Sequence, residues 1–176
     1  MAHPRKLIRA AFKDRLALPT APGVYRTAAQ ARVYASRLAP VSEEELNEDG
    51  PSILIYSRME KYDADKSYGP EGDATLLERE LTLVTEAMLL GGETVDDKLD
   101  DIAEEIEAAF SDFVIPGFES ARMRLIESDI DLVTEQVKRP IGAIGLVWQI
   151  IYRTGWRPRA TANDADAAMA DFLAGK

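Results

Sequence analysis

The sequence predicts an α+β fold. Its expected form is a single mixed or antiparallel sheet of about five strands with two main helices packed on one face, in the order α-β-β-β-α-β-β, plus a short C-terminal helix. Three observations lead there. Two segments repeat apolar residues at three- and four-residue steps, the spacing of one helix face. Five others alternate or run continuously apolar, as strands do. Each helix carries one apolar stripe only, so both are most simply placed on the same side of one sheet. With 46% apolar residues in 176, there is material for one real core.

The first element is a helix over Pro4–Ala17. Proline suits the first turn, where its missing N–H is not needed. Leu7, Ile8, Ala11, Phe12 and Leu16 form its apolar stripe, and Pro19 and Pro22-Gly23 end it. Three strands follow. Arg32–Leu38 supplies Val33, Tyr34 and Leu38. Ser52–Ser57 holds the unbroken run Ile53-Leu54-Ile55-Tyr56, which reads as a strand buried on both sides. The third, about Leu76–Leu89, puts Leu77, Leu81, Leu83, Ala87 and Leu89 on one face and mostly Glu and Thr on the other, although its end could also be helical.

The second helix is the clearest element, from Val95 to Phe113 with Thr94 as N-cap. Val95, Leu99, Ile102, Ala103, Ile106, Ala109 and Phe110 are its buried stripe. Asp96, Asp97, Asp100, Asp101, Glu104, Glu105 and Glu107 are its outer face, with acids in the first turns where the helix dipole favours them. Residues 122–133 alternate around Met123, Leu125, Ile130 and Leu132. Residues 141–153 place Ile144, Leu146, Trp148, Ile150 and Tyr152 on one face. Residues 1–154 therefore form one domain and 155–176 an extension, in which 163–173 is a short helix capped by Asn163.

Composition excludes much chemistry. There is no cysteine, hence no disulfide, thiolate metal site or cysteine nucleophile, and His3 is the single histidine. No glycine-rich phosphate loop and no serine in a nucleophile elbow occur, so no catalytic, cofactor-binding or metal-ligating residue is assigned and an enzyme is not expected. The net charge of −10 disfavours wrapping duplex DNA. No apolar run approaches the ~20 residues of a membrane span, and no secretory leader follows the basic start, so a soluble intracellular protein is expected.

Charge is segregated. Residues 1–37 hold eight basic residues and one acid, net +7, leaving −17 for the rest. Opposite poles on one subunit favour head-to-tail contact between copies, although a basic helix facing solvent is the simpler reading. The carboxylates of the second helix repeat at four-residue steps and could attract divalent cations, but one helix face points its side chains apart, and a solvated acidic face explains them. Residues 58–74, RMEKYDADKSYGPEGDA, read as a long loop between strands, either merely flexible or with Tyr62 and Tyr68 as interface anchors. Trp148 belongs to the core, whereas Trp156 lies beyond the sheet beside Arg157. The candidate contact residues are accordingly Arg5, Arg9, Arg58, Tyr62, Tyr68, Trp156 and Arg157.

Three strings carry a resemblance: HPRKLIRAAF at the start, VYASRLAPVSEEEL followed by PSILIYS, and PIGAIGLVWQIIYRT near the end. Over residues 3–154 they resemble phage tail terminator proteins, the minor tail protein U type of lambda-like long-tailed phages. The resemblance implies a small α+β subunit that assembles as a hexameric ring on the completed tail tube, stops its polymerisation and provides the surface that joins the head. Its partners would be further copies of itself, the tail tube protein and head–tail connector proteins, with DNA passing through the ring without sequence-specific binding. It implies no enzyme activity and no cofactor, and places the protein in the host cytoplasm during assembly and then in the virion tail. Asn47–Gly50 and the residues from Gly155 onward depart from the family pattern. Alternatives are another neck or tail-completion component, a generic binding module, or a small carboxylate- or metal-dependent enzyme.

Overall fold

The computed structural model describes residues 2–36, 46, 50–68, 75–92, 94–133 and 141–156, with side chains at all of these except 63–68, 75, 132, 133 and 156. Along the chain run α1 (Pro4–Ala17), β1 (Val33–Ala35), β2 (Ser52–Tyr68), β3 (Thr75–Leu90), α2 (Val95–Phe110), β4 (Arg122–Val133) and β5 (Ile141–Trp156). The fold is α+β, with one mixed, open, five-stranded sheet and two helices. Strand order is β1-β2-β3-β5-β4. Only β1–β2 is parallel, and the other three pairings are antiparallel.

The centre of the sheet is β3 with β5, paired without a break from Thr75–Trp156 to Leu90–Ile141. Alternation assigns the faces. Leu81, Leu83, Ala87 and Leu89 of β3 and Ile144, Leu146, Trp148, Ile150 and Tyr152 of β5 point to one side and form one buried cluster with Ile53 and Ile55 of β2. Both helices lie on that side. α1 contributes Ile8, Phe12 and Leu16, and α2 contributes Leu99, Ile102, Ala103, Ile106, Ala109 and Phe110. Aromatic rings bind the layers: Phe12 stands 4.5 Å from Phe110, and Trp148 stands 5.1 Å from Phe110 and 6.2 Å from Phe12. The Trp148 indole N–H donates to Thr85 Oγ1 at 3.0 Å, satisfying a buried polar atom inside the core.

Several expectations need correction. Leu7 is exposed rather than part of the α1 stripe, because the helix meets the sheet through Ile8, Phe12 and Leu16. Thr94 makes no side-chain cap on α2, whereas His3 caps α1 by accepting the Arg5 N–H at Nδ1. α2 ends at Phe110 instead of Phe113, and β5 continues to Trp156. β2 is not buried on both sides throughout, since Tyr56 is exposed. The loop expected over 58–74 is, as far as Tyr68, a continuation of β2 paired to β3. Residues 69–74 and the helix expected at 163–173 lie outside the described residues.

Two register shifts adjust the sheet. Ser57 pairs with Leu83 and Met59 with Thr82, so Arg58 is the extra residue of a bulge. Leu125 pairs with Trp148 and Glu127 with Val147, so Ile126 is the extra residue in β4. Beyond each bulge the odd and even positions exchange faces.

The basic N-terminal segment is largely tied to its own domain. Arg15 donates to the Ala109 carbonyl at 2.7 Å, pairs with Asp112 and lies over the Phe113 ring. Arg26 reaches the carbonyls of Arg15 and Leu18. Arg32 donates to the Pro51 and Ala28 carbonyls at 3.0 and 3.2 Å. Gly50, at φ +110°, permits this closure, because a Cβ there would stand 2.9 Å from Arg32 Nη2. Glu105 of the α2 ladder is also recruited, as it accepts the Ala28 N–H at 2.6 Å.

Candidate functional site

The sequence-predicted contact residues separate into two groups on opposite faces. On the helix-covered face, past the N-terminal end of α1, the bulge at Arg58 turns Glu60 and Tyr62 toward the side occupied by Leu81 and Arg79. Glu60 becomes the hub of a polar cluster, its side chain only 3% exposed. The Tyr152 hydroxyl donates to Glu60 Oε1, and the Tyr62 hydroxyl donates to Oε2 at 3.1 Å. Arg79 reaches Glu60 at 3.4 Å and Arg5 reaches it at 3.6 Å. The Arg79 guanidinium also donates to Thr154 Oγ1 at 2.8 Å and lies 4.9 Å from the Tyr62 ring centroid.

This cluster is a buried carboxylate satisfied by two guanidiniums and two phenols. Burial, then the hydrogen bond to Glu60 and its charge, pushes the Tyr152 hydroxyl well above the ordinary tyrosine range. Tyr152 is thus held as a neutral donor. Arg5 and Tyr62, both expected at an interface, are brought together here, and Arg5 remains about half exposed. Arg9 lies one turn further along α1 and donates to Ser57 Oγ at 3.2 Å. The sequence reading missed Glu60, Arg79 and Tyr152 as a set. The available signal was Arg79, a lone cation among the acids and leucines of β3.

The opposite face bears no helix among the described residues. Val84, Ala143 and Val147 are nonetheless buried, and around them lies a shallow groove of about 360 Å³. Its polar lining is Tyr56, Arg58, Glu86, Glu127, Asp129 and Asp131, four carboxylates against one guanidinium. Burial first, and then the charge of Glu86 and a hydrogen bond with it, raise the Tyr56 hydroxyl. Arg58 therefore stands on this bare acidic side, away from Arg5, Arg9 and Tyr62. At the far end Leu46 packs with Ile141, Leu54, Met88 and Leu90. The side chains of Tyr68 and Trp156, and all of Arg157, lie outside the described residues.

Further concavities lie among the described residues. One, about 540 Å³, lies between the 28–51 segment, the end of β3 and α2, with Lys98, Asp101 and Glu105 at its rim. Another, about 590 Å³, runs between α1 and the 113–118 segment beside exposed Leu7 and Leu18. Among the described residues no three carboxylate or histidine groups converge as metal ligands, and no helix is long and apolar enough to cross a membrane.

Scanned against protein-family models the chain finds no match, and no curated protein matches it in sequence.

Proposed function

We propose that this chain is a virion-assembly subunit of the phage tail terminator type, which closes with copies of itself into a ring, hexameric by the family resemblance, and caps the tail tube. In this reading it acts by surface shape and charge, ends tube polymerisation and presents the surface that the head connector meets. The α-β-β-β-α-β-β order with a C-terminal helix over 163–173 belongs to the same reading, the helix docking on its own or a neighbouring subunit. Assembly in the host cytoplasm and residence in the virion tail follow from it.

The observation that carries the proposal is the inequality of the two sheet faces. One is filled by α1 and α2 around Phe12, Phe110 and Trp148, and the other carries no helix among the described residues and is lined by Glu86, Glu127, Asp129 and Asp131. A subunit of a closed ring needs an outside and an inside of different character. A carboxylate-lined inner wall would let DNA pass without adhering, since like charges repel.

The test is to add the purified chain to elongating tubes of the cognate tube protein and measure lengths by electron microscopy. Growth that stops when the chain is added, with a ring visible on the tube end, is the expected result. Unchanged tube lengths would reject termination, and binding to a head connector without arrest would identify a connector component instead.

A further inference from the structure

The sheet leaves two edges unpaired among the described residues. β1 covers β2 only at Ile53–Ile55, so β2 from Tyr56 onward has one open side. β4 is the terminal strand of the sheet and is paired on one side only, to β5. Such edges seek partners unless something covers them. From β2 through β3 and β5 to β4 every pairing is antiparallel, so β2 and β4 run in opposite directions. Rotation about an axis roughly along the strands keeps those directions. The β4 edge of one copy would then meet the β2 edge of the next as an antiparallel pair, the geometry with the more stable ladder.

Charge selects one register. Along β4 the residues that share the bare face run Arg124, Glu127, Asp129, with the bulge at Ile126 between the first two. Along β2, read backward, the corresponding positions run Lys61 and then the Arg58–Met59 bulge. Aligned antiparallel, Glu127 meets Lys61 and Asp129 lies beside Arg58. The same alignment keeps bare-face positions opposite bare-face positions on both sides of each bulge. It also sets residue 131 opposite residue 56, directly beyond the stretch of β2 that β1 already covers.

We infer that copies of this chain join edge to edge, β4 of one subunit pairing antiparallel with β2 of the next in this register, so that the sheets run on from subunit to subunit. The inference rests on the ring reading above and adds the contact that makes the ring. Each copy uses two different edges, so the contact is head-to-tail and the chain can close only by rotation. The helices then stay on one side of the continued sheet and the acidic groove on the other.

The absence of native cysteine gives a direct test in the full chain. Lys61→Cys and Glu127→Cys are introduced together and separately, at exposed positions of one proposed cross-strand pair. Sedimentation of the unmodified chain is measured alongside. On mild oxidation the double variant is expected to give a reductant-sensitive ladder of covalent oligomers, while each single variant stays uncrosslinked. Glu127→Cys cross-linking alone would show β4 pairing with β4 across a two-fold axis and overturn the inference. An oligomer that sediments as a ring but yields no ladder would overturn the contact and leave the ring reading standing. A chain that stays monomeric at every attainable concentration would overturn both. As a check independent of cysteine geometry, Lys61→Glu and Glu127→Lys should each weaken association roughly fivefold, and the double exchange should restore it; two additive losses would count against the register.

Discussion

The two faces of the sheet are built from the same strands yet obey different rules. On the helix-covered face stability comes from depth: Phe12, Phe110 and Trp148 interlock, and the one carboxylate admitted, Glu60, is surrounded by donors. On the opposite face the apolar residues in the groove are small, Val84, Ala143 and Val147, with larger ones, Leu54, Met88 and Ile141, only at the far end, and the carboxylates lining the groove stand near solvent. The difference teaches that burial alone does not distinguish the faces. What distinguishes them is what fills the space: large interlocking rings and a hydrogen-bonded carboxylate on the covered face, and small aliphatic side chains amid a row of carboxylates at the groove of the other.

The sharpest way to break the comparison is to hollow the covered face. Phe12→Ala should cost about 3–5 kcal/mol of unfolding free energy, read by denaturant titration, because the ring fills space between α2 and Trp148. Glu60→Ala should come next, at about 3 kcal/mol, since it strands the mostly buried Arg79; a loss below about 0.5 kcal/mol would mean that the cluster is solvated rather than buried. Tyr152→Phe should cost about 1.5 kcal/mol near neutral pH by removing a hydroxyl donor to a carboxylate.

That third variant also carries a pH signature. The folded Tyr152 hydroxyl keeps its proton above the ordinary tyrosine value, 10.0, whereas the unfolded chain releases it near that value. Above pH 10 the unfolded state therefore binds fewer protons than the folded one, and stability falls as pH rises. The wild-type advantage over Tyr152→Phe should be complete below pH 10 and shrink above it, as followed by urea midpoints across the alkaline limb. The smallest effect belongs to the bare face. Asp129→Asn should change stability by less than about 0.5 kcal/mol in the same titration, because the side chain is exposed at an edge.

Much of the covered face was legible in the sequence. The α1 boundaries, the α2 stripe and the inward row of β5 all follow from apolar spacing, because in each a large hydrophobe meets the core at every turn or every second residue. The rest was hidden for identifiable reasons. Residues 58–68 read as loop since the inward positions past the bulge are Glu60 and Tyr62, polar residues whose partners, Arg79 and Tyr152, lie 19 and 92 residues away in sequence. The basic pole at the start of the chain looked like free surface, yet Arg15, Arg26 and Arg32 are spent on backbone carbonyls that no local pattern reveals. In β4 the evidence was present but silent: Met123 and Leu125 are odd, Ile130 is even, and that change of parity is the trace of the bulge at Ile126.

The inserted residue at Arg58 sets the phase of the outer half of the β2–β3 hairpin. A homologue that lacked it would keep every later side chain on its present face, Met59 opposite Thr82 and Glu60 opposite Leu81, whereas one that kept the residue but paired it regularly would turn every side chain from 59 onward to the other face. Alignment with a chain that lacks the insertion therefore needs a one-residue gap at position 58, and without that gap the wrong partners are paired throughout the outer half of the hairpin.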